Sequence, residues 1–482
     1  MTTPPPPSVP STSPPTPAAA AAPRAARIFD RSIIEGPIAR AVWMIAWPTM
    51  IQNVIGGFQG MVDHALVGRF VGYAGNAAMG VAIQIFIVVI VFMSSVFTGM
   101  SVLVARYAGA GEHEKVNGTV YQAFVAAIAL SLIIAPLGYF LTPSLLGVVN
   151  AAADVRAEAL PYLRIMFLCS IWTMLFFMIS GALRSAGDAQ TPMRIGVLLT
   201  ALNVVFNVIL IRGLGPIPRL GTAGAALGAA LAGAIASGVA IYLMCSGRLV
   251  VHWHRGMNWR PDWKVMRSLF RFGLPTGAQG IAMNIGGVLL LRFIGSLEHS
   301  AEAQAAYAVG YTELFSLVTW TSFGLMGAAS AVAGQNLGAG RADRSVKGVR
   351  VAASIGVAVA ALIGALFIAI PGQLLALFGM HDPEVVQIGT GLLAFLSVSG
   401  FFITVALTYT GGLQGTGDTR SPLYISLVSQ ILIPLGICAV IQAYRGLHAV
   451  DIWSAIVVGH VTRCLLSVWR FRQGKWREIR VE

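Results

Sequence analysis

Residues 48–68 read PTMIQNVIGGFQGMVDHALVG. They lie inside an apolar segment of roughly 25 residues, long enough for one α-helix to cross a bilayer. The stretch holds one carboxylate, Asp63. An acid at membrane depth is costly, so it marks a candidate functional site. Fifteen residues earlier, Pro48 removes a backbone hydrogen bond and can kink the same helix. A titratable group and a possible hinge therefore share one span.

The rest of the chain supports a lipid setting. Of its 482 residues, 56% are hydrophobic and 11% charged, a composition no soluble domain needs. The net charge of +13 comes from basic residues spread singly between apolar segments, which argues against a nucleic-acid partner. Cys169, Cys245, Cys438 and Cys464 sit in or beside apolar runs without metal-ligand spacing and read as small hydrophobic side chains. No phosphate-binding loop, metal cluster or Ser/His/Asp grouping stands out, so the chain reads as neither an enzyme nor a holder of a cofactor or metal.

Twelve apolar segments follow one another, at 42–68, 76–105, 117–141, 156–179, 192–212, 221–244, 270–294, 304–333, 349–370, 385–410, 422–442 and 449–468. Residues 1–35, rich in Pro and Ala, read as a disordered tail; residues 245–269 as an amphipathic surface linker; residues 471–482 as a basic tail. Counting Lys and Arg by loop puts 25 on the amino-terminal side and seven elsewhere. That bias predicts a multi-pass protein of the cytoplasmic (inner) membrane with both termini in the cytoplasm.

The halves repeat. YAGAGEHEKV (107–116) echoes NLGAGRADRSV (336–346), GALRSAGDAQTPM (181–193) echoes GGLQGTGDTRSPL (411–423), and AWPT (46–49) matches GLPT (273–276). The spacing stays between 227 and 230 residues. An even number of spans per repeat gives both halves the same orientation. The expected fold is therefore an all-α polytopic membrane protein with two six-helix bundles, 36–244 and 270–470, facing a central cleft. Such a cleft suits alternating access.

Asp63 falls near the outer end of span one, and Asn207 and Asn203 fall at comparable depth in span five, one turn apart. A carboxylate with amides suits a proton or a sodium ion. At the repeat offset Asp63 becomes Leu290, Asn203 becomes Ile433 and Asn207 becomes Ile437, so the site belongs to the first half alone. Glu313, where the first half has Gln84, either lines the cleft and attracts cations or pairs with Arg292. Gln52 and Asn284 are further cleft candidates. His64 points about 100° away from Asp63 and stays outside the site. Asp188 and Asp418, in the repeated loops, are placed to cap the helices that begin near Pro192 and Pro422.

With these motifs in hand, the chain resembles the multidrug and toxic compound extrusion (MATE) family, in its DinF-like prokaryotic branch, over about residues 36–470. The resemblance rests on WPTMIQNVIGGFQGMVDHALVGRFVG, the YAGAG and LGAG loops, LRSAGDAQTP and LQGTGDTRSP, and LNVVFNVILI. It implies a V-shaped pair of bundles and export of cationic or amphipathic organic compounds, by a monomer, in exchange for protons or sodium. In that branch the first-span acid takes up the ion while its helix bends near a proline, roles that Asp63 and Pro48 match. The family's span-five Asn corresponds to Asn203, but its acid one turn later is Asn207 here. Proton coupling is the first expectation; sodium coupling at Asp63, a flippase for lipid-linked precursors, and a passive channel or receptor are the alternatives.

Overall fold

A computed structural model describes residues 31–149, 152–216, 218–254 and 256–481. The first half consists of α1 (Ser32–Glu35), α2 (Ile38–Phe70), α3 (Tyr73–Ala110), α4 (His113–Val148), α5 (Ala153–Leu168), α6 (Ser170–Ser185), α7 (Gln190–Arg212) and α8 (Gly221–Cys245). The second consists of α9 (Trp263–Ile294), α10 (Ser300–Tyr307), α11 (Ser316–Gly338), α12 (Ala342–Ala369), α13 (Pro371–Ala376), α14 (Pro383–Thr416), α15 (Arg420–Ser426), α16 (Ile433–Arg445) and α17 (Ala449–Arg472). Among the described residues there is no strand. Large apolar side chains such as Leu132, Phe140, Leu362 and Leu465 stand exposed on the helix surfaces, as lipid-facing residues do.

Ten of these helical stretches are long and apolar enough to cross a membrane, and α5 with α6, bent by 50° at Cys169, makes an eleventh. The remaining long helix is α2, whose run of Gln52, Asn53, Gln59, Asp63 and His64 dilutes its apolar character. Two spans of the second half are interrupted by wide π turns, at 308–314 between α10 and α11 and at 427–432 between α15 and α16.

The repeated loops fold alike. Gly187 and Gly417 each adopt φ of 102°, a left-handed conformation that a side chain resists. The next residue then caps the following helix. Asp188 accepts from Thr191 N at 3.0 Å and from its hydroxyl at 2.6 Å, and Asp418 accepts from Ser421 N at 3.2 Å and its hydroxyl at 2.8 Å. Asp418 also pairs with Arg470 of α17 at 2.7 Å, a contact its counterpart lacks.

The halves interlock at the end carrying the basic loops. The first turns of α2 (Ala41, Val42, Ile45, Ala46) are buried with α11, α12 and α14, while Leu269 and Phe272 of α9 are buried with the first half. Backbone meets backbone at these crossings. A Cβ on Gly99 of α3 would overlap the Leu269 carbonyl, one on Gly273 of α9 the Ser95 carbonyl, and one on Gly338 of α11 the Arg106 carbonyl. Small residues at helix crossings provide the close packing that holds membrane helices together. Polar ties reinforce the seam: Gln335 Nε2 donates to Ser185 O at 2.7 Å, and Arg344 donates to Gly36 O at 2.7 Å.

Three boundaries differ from those expected. The tail assigned to residues 1–35 lies outside the described residues up to residue 30, but Ser32–Glu35 is helical and Ile33 is fully buried against α11, its carbonyl accepting from Asn336 and Arg344. The 245–269 linker is a strap on α4: Leu249 and Val251 are buried, Gln122 Nε2 donates to Arg260 O at 2.8 Å, and Trp253 packs edge-on to Phe124. Its last residues already belong to α9, started by Asp262, which accepts from Lys264 N and Val265 N. The 471–482 tail also docks, with Trp476 buried against Phe471 and Ile479 O accepting from Arg106 of α3. Apolar side chains within each polar stretch account for all three.

The crossings yield a stability test. Gly99→Ala should destabilise the protein by about 1–3 kcal/mol through overpacking, lowering its thermal midpoint in detergent. Gly118→Ala on α4, where nothing lies within 4 Å, should hold or raise the midpoint.

Candidate functional site

Asp63 stands on the half of α2 remote from the basic end, against α7. Asn207 Nδ2 donates to Asp63 Oδ1 at 2.7 Å and lies 3.3 Å from Asn203 Oδ1. The structure thus brings together all three residues singled out from their depth. Both asparagines are fully buried, and Asn207 Oδ1 and Asn203 Nδ2 have no hydrogen-bond partner. Glycine on α8 makes room for this arrangement, because a Cβ at Gly228 would overlap Asn207 Oδ1. Deeper along the α2–α7 interface, Thr200 Oγ1 donates to Gln59 Oε1 at 2.8 Å.

Among the described residues no cation pairs with Asp63. His64 turns away, its Nδ1 3.3 Å from Asn76 Oδ1 of α3. The carboxylate therefore has an amide donor but no fixed positive charge.

Pro48 is buried within α2, which runs unbroken from Ile38 to Phe70. Proline cannot donate to the Met44 carbonyl. Around it, Thr49 Oγ1 donates to Ile45 O at 2.5 Å and Asn53 Nδ2 to Thr49 O at 2.8 Å.

Between the halves lie two chambers. The first, about 490 Å³, takes its walls from α2, α3, α5, α6, α11 and α14, and includes Asn53 and Arg184. The second, about 450 Å³, lies largely within the second half and includes Asn284, His460 and Arg463. Phe97, Phe323, Met326 and Gln414 border both. The walls are mainly aromatic, Met and aliphatic side chains, with a few polar groups to orient a ligand, as small-molecule sites are built.

Asn284 lines the second chamber, but the other three cleft candidates, Gln52, Gln84 and Glu313, lie outside both chamber walls. Gln52 packs against Gly196 of α7, and its neighbour Asn53 reaches the chamber, a difference of one 100° step round the helix. Gln84 and Glu313 are absent from both walls. Glu313, in the π turn at 308–314, makes no ion pair with Arg292, which lines a separate surface pocket with Phe293 and Ser296. Conversely, Arg184 and Arg463, read from the sequence as loop charges, lie on α6 and α17 and face the chambers. Their signal was present: apolar residues flank Arg463 on both sides, in VVGHVTRCLLSVW.

The closest grouping of metal-ligand types among the described residues is His299, Glu302 and Glu384, with ligand atoms within 4.8 Å of one another. His299 Nδ1 lies 2.9 Å from Glu384 Oε1 on the surface there, away from both chambers.

The MatE family model matches residues 48–209 and again 275–440, once in each half. The chain is 25% identical over 442 residues to a probable multidrug resistance protein NorM of Thermotoga maritima, covering 92% of this chain and 94% of that protein. It is 26% identical over 445 residues to a probable multidrug resistance protein NorM of Deinococcus radiodurans, covering 90% and 94%. Among solved structures, the outward-facing conformation of a multidrug resistance MATE family transporter of the MOP superfamily shares the fold, with a TM-score of 0.86 at 20% identity over 93% of this chain and 98% of that one.

The Asp63–Asn207 contact can be weighed by a double-mutant cycle. Asn207→Ala should cost about 1–3 kcal/mol by stripping the carboxylate of its donor. The pair Asp63→Ala/Asn207→Ala should cost less than the sum of the single changes, since both remove one interaction. Thermal or chemical unfolding in detergent measures each term.

Proposed function

Because the chain belongs to the MatE family, a family of membrane transporters and not of enzymes, we propose that it is a secondary active exporter of amphipathic organic compounds in which a proton at Asp63 drives the cycle. The observation carrying this reading is that Asp63 is held by an amide donor and no cation. Its charge is compensated by what binds it from solution. Asp63, Asn207 and Asn203 make a small set of one carboxylate and two amides, fewer ligands than the several converging oxygens a bare cation takes, which favours a proton.

Coupling follows from α2. This one helix carries Asp63, Asn53 in the chamber wall, Gly57 against the Trp320 indole of α11, and Pro48 near the basic end. Asn53 lies ten residues from Asp63, about 15 Å along the axis, so the ion and the exported compound do not share ligands. Protonation removes the charge that the Asn207 donor holds and weakens the grip of α7 on α2. The helix then shifts, with the missing bond at Pro48 as the compliant point, and the chamber wall moves with Asn53. The multidrug names of the relatives support an apolar, adaptable chamber, and the many Met and Phe walls fit it.

The test is dye efflux from proteoliposomes with a pH gradient and a sodium gradient imposed separately. The pH gradient alone should drive transport. Asp63→Asn should abolish driven efflux while the protein keeps its fold and membrane insertion. Transport by Asp63→Asn at the wild-type rate, or drive by sodium alone, would overturn the assignment.

A further inference from the structure

The walls of both central chambers, and of the adjoining 420 Å³ pocket around Tyr307 and Pro434, contain no Asp or Glu. They do contain two arginines. Arg463 is 5% exposed, faces the second chamber, and makes no ion pair or hydrogen bond with any described residue; its Nε is buried without a partner. His460, one turn earlier on α17 and 2% exposed, also faces the chamber with Nδ1 unpartnered. A third buried polar atom there, Thr276 Oγ1 of α9, likewise lacks a partner.

A guanidinium taken out of water without a counter-charge is strongly unfavourable. At Arg470 the fold meets this demand with Asp418. At Arg463, and at Arg184 in the first chamber, it does not. The neighbouring surfaces are flat and aromatic: Phe315 stacks on the His460 ring at 6.0 Å, and Tyr311 and Phe323 extend the wall.

We infer that Arg463, with His460 and Thr276 beside it, forms an anion subsite in the second chamber, taking the carboxylate or sulfonate head of a compound whose aromatic body lies along Phe315 and Phe323. The guanidinium supplies paired donors of the kind that grip a carboxylate, and the hydroxyl and imidazole complete its hydrogen bonding. This substrate class is opposite in sign to the cationic compounds the sequence resemblance implies, and without a wall carboxylate the chamber offers cations no fixed partner. The inference takes its purpose from the exporter reading. Its test uses equilibrium binding without any gradient, so a failure of coupling at Asp63 leaves the result interpretable.

Full-length protein in phosphatidylcholine nanodiscs is dialysed against labelled 2-naphthoate and, separately, 2-naphthylmethylammonium, which share one ring system and differ in charge. The wild type should bind the anion at least about tenfold more tightly, the scale of a charge-assisted contact. Arg463→Gln should weaken naphthoate binding about tenfold or more, Arg463→Lys should retain most of it, and Arg445→Gln, at a surface ion pair with Asp451 away from the chambers, should change it little. Without ligand, Arg463→Gln should keep or raise the thermal midpoint, because an unpaired buried charge has been removed. Tighter binding of the cation, unchanged naphthoate binding in Arg463→Gln, or a lowered midpoint in that variant would overturn the inference. Adding phosphatidylglycerol separates two sources of the same chemistry: competition in the wild type and not in Arg463→Gln assigns the anion to a lipid headgroup, and its absence to a soluble aromatic acid.

Discussion

Direct backbone contact across the seam is the constraint on which the rest depends. α3 meets α9 through Gly99 and Gly273, and α3 meets α11 through Gly338. Lipid gives apolar helices little reason to associate, so close van der Waals approach and polar ties must do the work. Concentrating that approach at the basic end closes the molecule there. The chambers then lie above a floor where Gln335 ties α11 to α6 and Arg344 ties α12 to the entry of α2.

On this frame α2, like α3, faces both halves. Its first turns belong to the core with α11 and α12, and its far end is held by α7 through Asp63 and Asn207. A change in the charge of one carboxylate therefore acts on a rigid element that also borders the chamber. Rigid coupling needs no chain of intermediate side chains, only an element with two positions whose balance both sites bias.

Much of this was legible in the residues. The run of apolar segments, the repeat near 227–230 and the capping aspartates all follow from hydropathy and turn chemistry, and the depth of Asp63, Asn203 and Asn207 located a real contact. The exchange of first helices was not legible, because Gly99 and Gly273 look like any small residues in a membrane span. That Asn53 and not Gln52 reaches the chamber depends on helix rotation, which tertiary packing fixes. Arg184 and Arg463 were hidden by the very count that orients the chain, since a positive-inside tally assigns every arginine near a span end to a loop. The linker and the tail beyond Arg472 were judged by their charges, whereas Val251 and Trp476 decide where they lie.

The π turns at 308–314 and 427–432 set the two halves apart. Each winds more widely than an α-helical turn and so redirects the side chains it carries. Tyr311 and Gln430, which border the second chamber, come from these two turns. Among the described residues the first half has no such turn, so the repeat diverges inside its helices as well as in its loops, and each chamber has its own wall chemistry. The two halves share a fold without serving as replicas.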